Sequence, residues 1–242
     1  MVQVSIVIPV KDEAGNAGPL AREIAQAMET TSAAHEYEIV FVDDGSEDST
    51  IPELIAARCD LPRLRILAHE RSLGQSRAVR TGVRAANGPL IVTLDGDGQN
   101  DPADIPRLLS DFEGANEKLG LVAGERRRRQ DNWRKRAASR AANHFRRFVL
   151  NDNASDVGCG LKAFRRDAFL ELPYFDHMHR YLISLMRREG YEVRFVPVNH
   201  RPRTRGQSKY GVLDRALVGI SDLFGVVWLM RRFRGAAGTR EL

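Results

Sequence analysis

Three short apolar runs, each ending in acids, constrain this chain more than any other feature. Val4-Ser5-Ile6-Val7-Ile8-Pro9 leads into Lys11-Asp12-Glu13. Glu38-Ile39-Val40-Phe41-Val42 leads into Asp43-Asp44-Gly45-Ser46, and Pro89 to Leu94 into Asp95-Gly96-Asp97. Such β-branched runs fit strands covered on both faces. Between them, Leu20, Ile24, Ala27 and Met28 recur at helical spacing, and Ala78, Val79, Gly82, Val83 and Ala86 share one face of a helix over Gln75 to Ala86. A short helix from Pro52 and a weak strand over Leu64 to Leu67 complete the first half. Strands alternating with helices predict an α/β fold, a mostly parallel sheet with helices on both faces. The three acidic loops then share the carboxyl edge of the sheet, where open α/β sheets bind ligands.

Asp95 and Asp97 flank one glycine, so an extended chain points both carboxylates to the same side. Two hard oxygen donors there suit Mg²⁺ or Mn²⁺ gripping a diphosphate. The competing reading is a polar turn that caps the next helix, with Asp101 as N-cap and Pro102 at the first helical position. Three acid-tipped loops on one edge favour a ligand crevice over three unrelated turns.

The second half is less regular. Strands are expected at Leu119 to Ala123 and Val193 to Val198, and a helix over His179 to Arg188. Asp156 to Lys162 reads as a loop entering an apolar stretch. Arg126 to Arg147 holds ten Lys or Arg and one acid, a net +9; with +5 for the whole chain, −4 is left elsewhere. Its periodicity predicts an amphipathic basic helix, facing solvent or a localised anionic partner. Ala216 to Met230 has only Ser221 and Asp222 as polar residues, and Trp228, Arg231, Arg232 and Arg234 mark its end. That is too short for a bilayer core of about 30 Å. It predicts an interfacial helix, or a core or dimer helix. The chain divides into a domain over 1–210 and a membrane-associating helix and tail over 211–242. Cys59 and Cys159 form no metal-type pair and suit a reducing compartment. No signal peptide is expected from the first residues.

Taken together, Val4 to Glu13, Val42-Asp43-Asp44-Gly45-Ser46, Asp95-Gly96-Asp97-Gly98-Gln99, Gly124-Glu125-Arg126 and Arg203 to Lys209 resemble the inverting GT-A glycosyltransferases of family 2. The likeness is to the dolichol-phosphate mannosyltransferase branch and its bacterial polyprenyl-phosphate relatives. These blocks keep the family order over about five-sixths of the chain. Asp156 to Lys162 and Pro173 to His179 resemble a proteobacterial subgroup, which adds galacturonic acid to mannose and glucose as donor sugars. The resemblance implies that Pro9, Lys11 and Glu13 line the base and ribose pocket, with Val42 and Asp44 holding the nucleoside. It implies that Asp95, Gly96 and Asp97 form the Asp-x-Asp motif, with Gln99 as a further metal contact. Arg126 would meet the donor phosphates or sugar. Arg203 and Lys209 would close over the diphosphate, and Lys135 and Ser139 would receive the acceptor phosphate. The implied partners are a nucleotide-diphosphate sugar, a polyprenyl phosphate and the cytoplasmic face of the inner membrane, with a homodimer possible.

A phosphate acceptor is largely ionised at neutral pH and needs no general base, whereas a sugar hydroxyl does. Asp156 is the residue to test as that base, or it orders its loop; His177 and His179 are alternatives. A same-fold enzyme with a polysaccharide or other non-lipid acceptor is the main competing reading. Nucleic acid is disfavoured because the acidic edge repels a duplex. A sugar nucleotidyltransferase would want a glycine-rich basic loop that Pro9 to Gly18 lacks.

Overall fold

The structure, a computed structural model, describes residues 2–31, 36–126, 150, 156–202, 212–233 and 235. Lys135, Ser139, Arg203, Lys209, most of the basic segment and the expected closing loop lie outside the described residues.

The first half alternates strand and helix as its periodicity requires. It runs β1 (Val4–Val10), α1 (Ala17–Met28), β2 (Tyr37–Asp43), α2 (Thr50–Arg58), β3 (Leu64–Ala68), α3 (Gln75–Ala85) and β4 (Leu90–Thr93). β1 pairs in parallel with both β2 and β4, and β2 with β3. The strand expected through Leu94 stops at Thr93. Beyond it the Asp95 amide donates to the Asn100 side chain, which starts the turn. Asp101 caps the following turn, its carboxylate accepting from Ala103 N with Pro102 at the first position. That turn continues into α4 (Ile105–Ser110). The capping reading and the crevice reading of this stretch are therefore compatible.

The second half adds β5 (Leu119–Arg126), β6 (Lys162–Arg165), α5 (Arg166–Glu171), a 3₁₀ turn at Met178–Tyr181, α6 (Leu182–Arg188), β7 (Glu192–Val198) and α7 (Val212–Arg232). The sheet has seven strands in the order β3-β2-β1-β4-β6-β5-β7. β6 runs antiparallel to β4 and β5, while β5 and β7 are parallel. Four residues with Lys and Arg at the ends carry no readable period, so β6 was not legible as a strand. Its register sets Lys162 opposite Thr93, beside the end of β4.

Alternation sorts the strands onto two cores. Ile6, Ile8, Ile39, Phe41 and Val92 pack on the α1 face, and Val7, Val40, Val42 and Ile91 on the α3 face. α3 lies close to the sheet because Gly82 has no side chain. A Cβ there would overlap Val7 and come within 3.0 Å of Val42 Cγ2. Beneath β1 and β2, the buried Glu38 carboxylate accepts from Ser5 Oγ, the Asn87 amide, the Asn87 side chain and Arg65. Burial raises its pKa, but those hydrogen bonds outweigh it and the net shift is downward.

Two glycine substitutions test this packing. Gly82→Ala should cost about 1–3 kcal/mol through overpacking. Gly225→Ala, on α7 with open space around it, should be neutral or stabilising by up to about 1 kcal/mol. Chemical denaturation of both variants checks the contrast, which equal losses would contradict.

Candidate active site

The loops after β1 and β2 are stitched together by backbone donors. The Asp12 amide donates to Ser46 Oγ at 2.8 Å, and the Glu47 amide to the Asp12 carboxylate at 2.8 Å. The Glu13 amide donates to Thr50 Oγ1 at 2.8 Å, and the Gly15 amide to Glu53 at 2.7 Å. Asp12 adopts φ 48°, so the chain turns sharply between Lys11 and Glu13. Pro9 is buried in β1. The Val42 side chain sits in the α3-side core, and Val42 pairs with Pro9 of β1 and Leu67 of β3.

Asp44 has a supporting task in the structure. Its carboxylate accepts from Ser72 Oγ (2.7 Å), Leu73 N (2.8 Å) and Gly74 N (2.9 Å), and lies 2.8 Å from His69 Nδ1. Burial pushes its pKa up, and these four partners pull it further down. Asp44 thereby moulds residues 69–74, the turn that delivers Gln75 at the start of α3. Gln75 Nε2 then donates to Asp95 Oδ1 at 2.8 Å. Neither His69 nor Gln75 was singled out in the sequence, although a Ser-Leu-Gly turn before a helix was there to be noticed.

Asp95 and Asp97 lie close enough for the charge of one to act on the other. Burial raises the Asp95 pKa, and the charge of Asp97 raises it further; Lys162, Gln75 and Arg126 oppose that. Asp97 is buried, and its Oδ1 accepts from the Gln99 amide at 3.1 Å. Gly96 allows the turn to press on β1, since a Cβ there would lie 2.5 Å from Val10 Cγ1 and 3.1 Å from the Pro9 carbonyl. The Gln99 carbonyl accepts from the Arg201 amide at 2.9 Å, and Asn100 bridges to His200. The chain after β7 is thus laid along the Asp95–Asn100 turn just before residue 203.

Arg126 and Asp156 form a two-point ion pair, with Nε and Nη2 each 2.6 Å from a carboxylate oxygen. The Asp156 partner raises the Arg126 pKa above its ordinary value despite burial. In this arrangement Asp156 orders the loop from 156 to 160 against Arg126. His179 Nδ1 lies 2.8 Å from Ser76 Oγ. Its pKa is pushed down to about 3 by burial, then by Arg180, Lys162 and His177. His179 is therefore a neutral hydrogen-bonding group at physiological pH. His177 faces away, its Nδ1 3.1 Å from Asp222 of α7.

Asp95 borders a cavity of about 590 Å³, walled by Val79, Phe164, Phe169 and Met178, with Lys162 and Arg180 among its polar residues. Burial lowers the Lys162 pKa, against the pull of Cys159, Asp95 and Asp156. Lys162 and Arg180 were absent from the sequence-based site because neither stands in an acid-tipped loop.

A mostly parallel mixed sheet with a carboxylate pair at a central strand end, an Arg–Asp pair and an open cavity beside it is the arrangement of a GT-A-like fold. The family model for glycosyl transferase family 2 matches residues 5–172, and the chain belongs to that family. It is 35% identical to a dodecaprenyl-phosphate galacturonate synthase of Rhizobium johnstonii over 95% of this chain and 68% of that protein. It is 34% identical to an undecaprenyl-phosphate 4-deoxy-4-formamido-L-arabinose transferase of Edwardsiella ictaluri over 87% of this chain and 63% of that protein. The chain thus spans about two thirds of the length of these relatives. In fold it is similar to glucosyl-3-phosphoglycerate synthase from Mycobacterium tuberculosis, crystallised with Mn²⁺, uridine-diphosphate and phosphoglyceric acid. The TM-score is 0.70 at 19% identity, covering 98% of this chain and 80% of that one.

His179 makes stability depend on pH. Its folded pKa lies below the unfolded value, so the unfolded chain binds the extra proton between pH 6.5 and 3 and stability falls on acidification. From pH 6.5 to 5 the wild type should lose about 2 kcal/mol more than His179→Asn. Denaturation midpoints at the two pH values check this, and parallel losses would contradict it.

Proposed function

We propose that this enzyme moves a sugar from a nucleoside-diphosphate sugar to a polyprenyl phosphate at a membrane surface, with inversion at the transferred carbon. GDP-mannose, UDP-glucose and UDP-galacturonate stand as candidate donors. The product would be a lipid-linked sugar donor for cell-envelope glycan or lipid A modification. The two relatives name one acidic and one uncharged sugar, so their names do not choose between donors.

The observation that carries the acceptor assignment is the state of the candidate bases. Among the described residues, Asp156 is clamped by Arg126, and His179 is too weak a base at a pKa of about 3. An ionised phosphate is a nucleophile without such help. A polysaccharide hydroxyl is not, which disfavours the alternative acceptor.

Mg²⁺ or Mn²⁺ fits the carboxylate pair. Burial and the Asp97 charge both disfavour ionised Asp95, which a divalent cation would relieve. No group of three or more metal-type side chains occurs among the described residues. Mg²⁺ is commonly held by one or two carboxylates plus substrate phosphates. Asp95 and Asp97 would hold the ion, with Gln99 adjacent, and the ion would neutralise charge on the leaving diphosphate. Arg126 adds a fixed cation nearby, and Arg203 and Lys209 are proposed to join it. Pro9, Lys11, Glu13, Val42 and Asp44 are proposed to border the nucleoside. Lys135 and Ser139 are proposed to meet the acceptor phosphate.

Membrane attachment is proposed to be peripheral, at the cytoplasmic face, through the helix and tail of 211–242. Val226 of α7 is buried in the core, while Phe224 and Trp228 are 69% and 60% exposed, with Arg231 and Arg232 following. No helix among the described residues is long and apolar enough to cross a membrane.

Asp97→Ala should lower transfer of labelled sugar to polyprenyl phosphate by at least about 10²-fold, and EDTA should do the same to the wild type. Full turnover in either case would remove the metal from the mechanism. The wild type should sediment with anionic liposomes at low salt and less at high salt. Phe224→Ser/Trp228→Ser should stay in the supernatant. Sedimentation unchanged in that variant would assign the exposed stripe to a second copy of the chain.

A further inference from the structure

We propose that Arg180 and Lys162 form an anion-reading subsite beside Asp95, and that its ligand is a carboxylate on the transferred sugar. The donor is then a nucleoside-diphosphate uronic acid rather than a neutral hexose, a conclusion that rests on the functional reading above.

The cavity next to Asp95 is where a sugar attached to a metal-bound diphosphate would lie. Its lining is mixed, with Val79, Phe164, Phe169 and Met178 beside polar groups, and Lys162 and Arg180 are its two cations. Among the described residues, the Arg180 guanidinium has no hydrogen-bond or ion-pair partner, and the Lys162 ammonium donates only to the Cys159 carbonyl. A lysine ammonium has three donors and an arginine guanidinium five. Most of that capacity is therefore available to a ligand. Both residues line the same cavity as the His179 ring. His179 is held by Ser76 and stays neutral, so it adds no competing charge. Buried Lys162 already feels the Asp95 charge, whereas half-buried Arg180 has no ion-pair partner among the described residues, and a partly buried cation left unpaired is costly. A carboxylate entering the cavity supplies one through charge-assisted hydrogen bonds, while a hydroxymethyl group does not. A site built this way discriminates strongly, because the wrong substrate leaves buried polar groups unpaired.

The test is calorimetric binding of donors to the full chain in Mg²⁺, comparing UDP-galacturonate with UDP-galactose and GDP-mannuronate with GDP-mannose. With whichever base binds, the wild type should prefer the uronate by at least about tenfold. Arg180→Gln should reduce that gap to roughly threefold or less, and Arg180→Lys should retain part of it. Lys162→Gln should reduce the gap as well. Equal affinities in the wild type, or an unchanged gap in Arg180→Gln, overturn the proposal and leave the functional reading intact. An acceptor phosphate at this position predicts a different result: Arg180→Gln raises the KM for polyprenyl phosphate with either donor and leaves the donor gap untouched. That result also overturns the proposal. Binding of no nucleotide sugar at all overturns the functional reading, and the inference with it.

Discussion

Two carboxylates held close together at the end of a buried strand repel each other, and much of the site answers that repulsion. Burial raises the pKa of Asp95 and the charge of Asp97 raises it further. The structure offsets this with Gln75 from the start of α3, Lys162 from β6 and Arg126 from the end of β5. Each counter-group comes from a different element, so the pair draws the sheet edge together. A divalent cation on the pair and a diphosphate on the cation, as proposed, would extend the same compensation outward. The enzyme's charge arrangement is thus set before any substrate arrives, which is what electrostatic preorganisation requires.

Support for that pair extends several residues back. Asp44 fixes the turn at 69–74, the turn positions Gln75, and Gln75 holds Asp95. Gly82 lets α3 lie close to Val7 and Val42, so that the start of the helix is held at the sheet edge. On the other side, Asp156 holds Arg126 and the loop of 156–160. Gly160 in that loop has no room for a Cβ because the Asp95 carboxylate occupies the space. The far wall of the cavity is anchored to α7, through Tyr181 Oη donating to the Gly219 carbonyl at 3.2 Å and through His177 beside Asp222. The helix proposed to meet the membrane therefore contacts the same segment, 177–181, that carries His179 and Arg180.

The chain itself determined the elements and the edge. β-branched runs of five to seven residues with helix-spaced segments between them leave little choice but a parallel α/β sheet, and β1, β2, β3, α3 and β7 fall within a residue or two of expectation, while α1 contains its four helix-spaced residues. Acids after three parallel strands put the crevice on one edge, because parallel strands end on the same side. Tertiary structure decided the rest. β6 is too short and too charged to show a period, and only its pairing with Thr93 brings Lys162 beside Asp95. The sequence suggested a ligand contact at Asp44, and the fold gives it a turn to support as well, because its partners lie 25 to 30 residues away. Asp156 read as a base or as a loop-ordering residue, and its ion-pair partner, Arg126, comes from 30 positions earlier. His179 and Arg180 acquire their roles from a cavity whose walls come from α3, β6, α5 and the 3₁₀ turn. Local periodicity fixes which strand a residue is on and which way it faces. Charge pairing across the fold fixes what its side chain is free to do, and no sequence window contains that pairing.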